Sequence, residues 1–244
     1  MQLETVNYST ADHIARIEMN RPQRHNALSY ALLRDLDTAF DQAEADPEVR
    51  VIILSGAGKS FCSGYDRDDS PYLTRPEGGW KTDVVLERLG DIEARYMRIW
   101  NCPKPTIAQV HGHCIASGCY MQMLCDIAVA ADDARLGHPV SQGGATSMPL
   151  WQVLAGPRVA RYLLMTARTV SGKEAADMGL VTMAVPGAEL ADTVTGIAKD
   201  VTGGDTASLR IAKESMNVDL EMMGVGAMFR YHGHLNALQR MRRD

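Results

Sequence analysis

The feature that most constrains this chain is an alternation of short apolar runs with longer stretches of helical periodicity. The runs are rich in valine and isoleucine and have the length of buried strands. They comprise an early strand with Ile14, Ile17 and Met19 and the segments 51–54, 106–110, 127–131 and 180–185. Strands that alternate with helices pair mainly in parallel, through right-handed crossovers. The sequence therefore predicts an α/β protein.

Apolar residues spaced three and four positions apart predict a helix over 30–45, and a second long helix is predicted over 82–100. A further helix is predicted to begin at Ser171, because Glu174 three positions on completes a capping box. Gly179 is predicted to end that helix.

Two late helices are predicted over 206–217 and 219–241, and they carry more apolar residues than a monomer could cover. The set consists of Met216, Val218, Leu220, Met222, Met223, Val225, Met228 and Phe229. Packing within the chain is the alternative explanation for some of these residues.

The charge balance excludes one class of partner. Thirty acidic residues against 25 basic residues give a net charge of −5, whereas a surface that follows a polyanion needs a basic excess. Neither a G-x-G-x-x-G motif after the first strand nor a G-x-x-x-x-G-K-[ST] motif is present. Nucleic acid, dinucleotide and P-loop nucleotide binding are therefore not predicted.

The five cysteines lack paired spacing, and no secretory signal is evident in residues 1–10, so a cytoplasmic protein with free thiols is expected. A metal site at Cys114 and Cys119 is weighed and not predicted, because the spacing is not that of ligand pairs. The segment 105–125 has no charged side chain, but its histidines, glutamines and glycines favour a buried core passage over a membrane span.

Several short motifs occur along the chain in a fixed order. They read RPQRHNAL at 21–28, FCSGYD at 61–66, CPKPTIA at 102–108, VHGHCIASGCY at 110–120 and CDI at 125–127. Each motif is weak alone, but the ordered set resembles the crotonase (enoyl-CoA hydratase/isomerase) superfamily.

The resemblance implies a crotonase-like spiral of ββα units over 1–187, followed by a helical region over 188–244 that mediates trimerisation. Homotrimers that can pair into hexamers are expected. The implied substrate is a small-molecule acyl-CoA thioester, so coenzyme A enters as part of the substrate. No permanently bound cofactor, metal, nucleic acid or membrane partner is implied.

The resemblance also assigns an oxyanion hole, in which two backbone N–H groups stabilise negative charge on the thioester carbonyl oxygen. The matching positions are Tyr65 and Ser117, and Gly64 lets the backbone approach the ligand closely. The alternative explanation is that these small residues only form tight turns.

Coenzyme A contacts are implied in the same way. Arg24 and His25 match contacts to the nucleotide, and Ala27 and Ser63 match backbone contacts.

The sequence departs from the family where hydratases carry two glutamates. The first matching position holds Tyr120 and the second holds Val140. The remaining candidates are Tyr120, His138 and Asp66. For each of them a structural role is the alternative: a packing aromatic, an outward-facing ring and a loop cap, respectively. Four further polar residues are also candidates, namely His113, Ser141, His232 and His234. For His232 and His234 the alternative is a solvated helix face.

Without those glutamates, the chain is predicted to be an enzyme that does not perform classical hydration. Decarboxylation of a malonyl-type thioester is favoured, because loss of CO2 forms the enolate without a base. Three other reactions stay open: hydrolytic cleavage of a C–C bond, hydrolysis of the thioester, and isomerisation. The alternatives are a non-catalytic acyl-CoA-binding pseudoenzyme and a hydratase or isomerase with relocated carboxylates at Asp66 or Glu93.

Overall fold

A six-stranded sheet forms the centre of the molecule, in the strand order β1-β2-β3-β4-β6-β9. Its strands are β1 (Val6–Ala11), β2 (Ile14–Met19), β3 (Val51–Gly56), β4 (Thr106–Val110), β6 (Ile127–Ala131) and β9 (Met183–Val185). The computed structural model describes residues 3–70, 72–74, 77, 79–140 and 149–241, with side chains as far as residue 238.

Parallel pairing dominates this sheet, as the alternation of strands and helices predicts. Only β1 and β2 form an antiparallel pair, and each later neighbour runs parallel to the strand before it. Every residue of β3 is buried, since helices cover both faces of a parallel sheet.

A second, smaller sheet positions the candidate site. It has the order β5-β7-β8, with β5 (His113–Ile115) parallel to β7 (Arg135–Gly137) and β7 antiparallel to β8 (Thr169–Ser171). The sequence did not predict these strands, because three residues are too few for a detectable periodicity.

The helices surround the two sheets. They are α1 (Tyr30–Ala45), α2 (Thr82–Trp100), α3 (Ser117–Leu124), α4 (Leu150–Leu154), α5 (Gly156–Thr166), α6 (Gly172–Asp177), α7 (Leu190–Thr202), α8 (Thr206–Met222) and α9 (Val225–Met241), with a short 3-10 turn at Pro22–Arg24. The predicted helices 30–45 and 82–100 are confirmed at both ends. The capping box between Ser171 and Glu174 forms as predicted, and Gly179 follows α6 with a φ of 79°.

Two predicted boundaries are wrong. The segment 180–185 forms a strand only over Met183–Val185, because Leu180 and Val181 are buried in the turn that follows α6. The late helices separate at Gly224 rather than at residue 218, since Gly224 adopts a φ of 88° that other residues rarely tolerate.

The apolar residues of the late helices divide into two groups. Val225 and Phe229 are buried inside the chain, as the alternative explanation held. In contrast, Met222 and Met223 are 82% and 70% exposed, and Met216 and Val218 are also exposed.

The uncharged segment 105–125 is divided among β4, β5 and α3 and is not a continuous helix. Within the described part of the chain, no helix combines the length and apolar character that a bilayer span requires. The predicted boundary at residue 187, between the spiral core and the C-terminal helical region, stays a prediction. Helix α7, which follows it, packs on the main sheet, whereas α9 packs on α2.

Candidate active site

The backbone hydrogen bonds around Tyr65 fix the direction of its N–H group. Leu28 donates its N–H to the Gly64 carbonyl at 2.8 Å, and Asp66 donates its N–H to the Leu28 carbonyl at 3.0 Å. The C=O of one residue and the N–H of the next point in opposite directions across a trans peptide. The N–H of Tyr65 therefore points away from Leu28.

The N-terminus of α3 lies beside this segment. A Cβ atom on Gly118 would come within 2.4 Å of the Cys62 carbonyl oxygen, so only glycine allows α3 to approach so closely. A Cβ atom on Gly64 would lie 3.6 Å from the Ser117 Oγ. The segments that carry the two predicted oxyanion donors are thus neighbours.

Ser117 is the first residue of α3, and the first N–H groups of a helix have no partner within it. The helix dipole also favours negative charge at this end. Ala116 precedes it with φ 52° and ψ −114°, a strained conformation for a residue that bears a side chain. This sharp turn from β5 into α3 leaves the Ser117 N–H at the helix end.

Asp66 lies in an ion-pair network. Its carboxylate accepts from Arg21 at 2.9 Å, from Arg24 at 3.3 Å and from the Asp68 N–H at 3.1 Å. Burial opposes ionisation, but the bonds from Asp68 and the arginines outweigh it and lower the pKa of Asp66. These contacts favour the predicted alternative, a structural cap, over an acid or base.

Arg24 and His25 lie on the loop that follows β2. The Arg24 guanidinium also contacts Asp68 at 2.5 Å and remains about half exposed. The His25 Nδ1 lies 2.9 Å from the Ser60 Oγ, which lies 3.2 Å from the His113 Nδ1. Both side chains are therefore held at the surface by neighbours.

Ala27 and Ser63 make backbone hydrogen bonds with the same loop. The Ala27 carbonyl accepts from Arg21, and the Ser63 N–H donates to the His25 carbonyl at 3.0 Å. The five predicted coenzyme A contacts, which include Gly64, are close together in the fold; their role stays a prediction.

Aromatic side chains from four segments converge next to the donors. Tyr65 and Tyr96 share a hydroxyl–hydroxyl hydrogen bond of 2.5 Å, and the ring of Tyr72 packs edge-on against Tyr65. Tyr96 packs edge-on against Tyr120, and Tyr120 stacks on His138 with ring centroids 5.4 Å apart. Together, Tyr65, Tyr72, Tyr96, Tyr120 and His138 form what we call the aromatic cluster.

The electrostatics of this cluster favour uncharged side chains. Burial lowers the pKa of His138 to about 4, so its imidazole is neutral at neutral pH. Burial, followed by the neighbouring Tyr65, raises the pKa of Tyr96 well above its usual value. Tyr72 donates to Asp91 at 2.6 Å, and burial is the main reason that its pKa is also raised.

Three buried thiols lie behind the donors. The Cys119 Sγ donates to the Cys114 carbonyl at 2.7 Å and accepts from the Gly137 N–H at 3.2 Å. Burial raises the pKa of Cys62 to about 12, so this thiol stays protonated. These groups support the backbone and do not resemble an activated nucleophile.

The structure brings together four of the predicted catalytic residues, Tyr65, Ser117, Tyr120 and His138. Val140, at the second glutamate position, is 50% exposed. Glu93 lies on α2 near Gly233 of α9. His232 and His234 lie on α9, and Ser141 lies outside the described residues.

Sequence reasoning missed Tyr72 and Tyr96. Tyr96 belongs to the buried face of α2, where an aromatic side chain is indistinguishable from core packing. Its place opposite Tyr65 follows only from the tertiary fold.

Comparison with known proteins identifies the class. Residues 9–233 match the model of the enoyl-CoA hydratase/isomerase family. The chain belongs to this family, whose members act on acyl-CoA thioesters.

Individual relatives agree with this assignment. A Thermus thermophilus protein provisionally assigned as an enoyl-CoA hydratase is 33% identical over 230 residues, which cover 92% of this chain and 88% of the relative. The hydroxycinnamoyl-CoA hydratase-lyase of Pseudomonas fluorescens is 31% identical over 219 residues, covering 86% of this chain and 77% of that enzyme.

The crystal structure of an enoyl-CoA hydratase/isomerase from Xanthobacter autotrophicus Py2 superimposes with a TM-score of 0.91 at 30% identity, covering 98% of this chain and 88% of that chain. The predicted crotonase-like fold is thereby confirmed.

Proposed function

We propose that this enzyme decarboxylates a malonyl-type CoA thioester and holds the resulting enolate with the N–H groups of Tyr65 and Ser117. One observation carries the proposal. The position that matches the first hydratase glutamate holds Tyr120, which is buried between Tyr96 and the neutral His138. A tyrosine with an ordinary pKa near 10 is no substitute for a carboxylate base at neutral pH.

Decarboxylation needs no base, because the bond to the leaving carboxylate supplies the electron pair. That bond breaks, CO2 leaves, and the electron pair moves towards the thioester carbonyl oxygen. Two preorganised N–H donors and the N-terminus of α3 favour negative charge at that oxygen. The reaction thus uses the donors at the step where charge develops.

The neutral side chains of the aromatic cluster favour the same step. A substrate carboxylate that enters a buried, uncharged environment loses hydration without gaining a counter-ion. The enolate oxygen, in contrast, meets the two N–H donors. As CO2 leaves, charge moves from a carboxylate that meets no cation in the aromatic cluster to the oxygen that the two N–H donors stabilise.

The enolate carbon must then take up a proton. The hydroxyl pair of Tyr65 and Tyr96 belongs to the aromatic cluster, and the raised pKa of Tyr96 keeps that phenol protonated. We assign the proton to this pair, which recovers it from water.

Relocated carboxylates are less consistent with the contacts. Asp66 is engaged by two arginines, and Glu93 lies beside α9. Hydration through either residue would require it to leave these surroundings.

Mass spectrometry of turnover tests the proposal. Purified enzyme is incubated separately with malonyl-CoA, methylmalonyl-CoA and crotonyl-CoA, and loss of CO2 from a malonyl-type thioester is expected. Tyr96→Phe should slow product formation, whereas Tyr162→Phe, at an exposed position on α5, is the matched control.

Other products would contradict the proposal. Addition of water to crotonyl-CoA would indicate a hydratase with relocated carboxylates, and release of free acid would indicate thioester hydrolysis. Binding of every thioester without turnover would indicate a non-catalytic protein.

A further inference from the structure

Two buried polar atoms beside the oxyanion donors have no hydrogen-bond partner in another residue within the described part of the chain. Ser117 is 1% exposed and His138 is 7% exposed, and the atoms concerned are the Ser117 Oγ and the His138 Nδ1. Buried polar atoms are nearly always hydrogen-bonded in native proteins, so an orphaned one calls for an explanation such as a missing ligand group.

The two residues emerge side by side from the small sheet. Ile115 of β5 pairs with Gly137 of β7, and the Ala116 N–H donates to the Gly137 carbonyl at 2.9 Å. Ser117 and His138 therefore follow directly at the same ends of two parallel strands. Tyr120, one turn along α3 from Ser117, stacks on the imidazole of His138.

This pair also adjoins the first donor. The Ser117 Oγ lies 3.6 Å from the position that a Cβ atom on Gly64 would occupy, and Gly64 precedes Tyr65. Because Ser117 itself supplies the second donor N–H, any group that its hydroxyl binds must lie within a few bonds of the thioester carbonyl.

We propose that the acyl group carries an oxygen acceptor at its third carbon, a carboxylate or a keto oxygen, which accepts hydrogen bonds from the Ser117 hydroxyl and the His138 Nδ1–H. The inference rests on the proposed binding of a CoA thioester at this site. Both partners are neutral donors, and the start of α3 favours a negative or electron-rich group. Simple alkanoyl groups would leave both atoms unsatisfied.

A matched pair of unreactive ligands isolates this contact. Butyryl-CoA and acetoacetyl-CoA have the same chain length and differ in the keto oxygen at the third carbon. Calorimetric titration of the wild type should show about tenfold tighter binding of acetoacetyl-CoA, the effect expected of one or two added hydrogen bonds. Ser117→Ala and His138→Phe should each reduce that preference to about threefold or less.

Gln122 provides the control, because it is also fully buried with both amide atoms orphaned. It lies about 140° around the axis of α3 from Ser117, away from the pair. Gln122→Met should therefore retain the full preference for acetoacetyl-CoA. Each preference is the ratio of two affinities measured on the same variant. A modest loss of stability therefore affects both affinities equally and cancels from the ratio.

The outcomes separate this inference from the proposed decarboxylation. A preference that disappears in both variants supports the polar acyl contact, even if malonyl-CoA releases no CO2. Equal binding of both ligands by the wild type, or a preference that survives both substitutions, would overturn it. Failure of both ligands to bind would overturn this inference and the proposed function together.

Discussion

Replacing His138 with phenylalanine should remove a loss of stability that the wild type suffers in acid. Burial holds the pKa of His138 at about 4 in the folded protein, against 6.5 for an exposed imidazole. Between these values the unfolded chain binds a proton that the folded protein excludes. The free energy of unfolding should therefore fall as the pH is lowered from 6.5 to 4. Above pH 6.5 the imidazole is neutral in both states, so His138 should cause no pH-dependent loss of stability there.

The magnitude follows from the pKa difference. The values of 6.5 and about 4 differ by about 2.5, which at about 1.36 kcal/mol per pKa unit corresponds to about 3 kcal/mol. Phenylalanine preserves an aromatic ring against Tyr120 and removes the titrating group. The variant should thus lose about 3 kcal/mol less than the wild type between pH 7 and pH 4.

Urea denaturation at a series of pH values, at one protein concentration, measures this difference. His234→Phe, at an exposed position on α9, controls for the loss of one imidazole and should retain the wild-type pH dependence. If the wild type and His138→Phe lose stability in parallel over this range, the imidazole is not held neutral by burial and the reasoning fails.

Three further predictions concern binding, assembly and packing. Arg24→Ala should weaken the binding of CoA thioesters about tenfold in calorimetric titrations, because a charge-assisted bond to phosphate is lost. Light scattering should give the mass of a trimer or hexamer. The double variant Met222→Lys/Met223→Lys, at two exposed positions, should shift the measured mass towards that of the monomer. Lys213→Met should reduce the free energy of unfolding by about 2 kcal/mol in urea, because it breaks the 2.8 Å ion pair that ties α8 to Asp126.

Each of these has its own control. Titration at low and moderate salt checks the Arg24 prediction, and unchanged affinity at both would contradict it. A monomeric wild type at micromolar concentration would refute the assembly. Lys199→Met, at an exposed position on α7, should leave stability unchanged, so an equal loss in both lysine variants would show that the ion pair contributes nothing.

The elements that the sequence predicts well have strong local signals. Helix α1 begins and ends where predicted, because Ser29 caps its N-terminus and seven buried side chains repeat at helical spacing. The capping box at Ser171 is likewise a local interaction. The small sheet lacks such a signal, since each of its strands is three residues long and depends on its partners.

An ordered motif can mark a backbone position, and it is the basis for assigning Tyr65 and Ser117 as donors, an assignment that stays a prediction. Motifs do not reveal the environment of a side chain. That Asp66 is paired with Arg21 and Arg24, or that Tyr96 meets Tyr65, depends on segments distant in the chain. The neutral state of His138 also arises from burial, which the residues around it in sequence do not specify.

The burial of the cysteines gives the protein an internal reporter of unfolding. All five thiols are free and buried, and burial raises the pKa of Cys62 and Cys125 to about 12. Alkylating reagents attack the thiolate, so they react only with molecules that have opened far enough to expose these side chains. The rate of labelling at Cys62, Cys114 and Cys119 therefore measures how often the core behind Tyr65 and Ser117 opens, without any engineered probe.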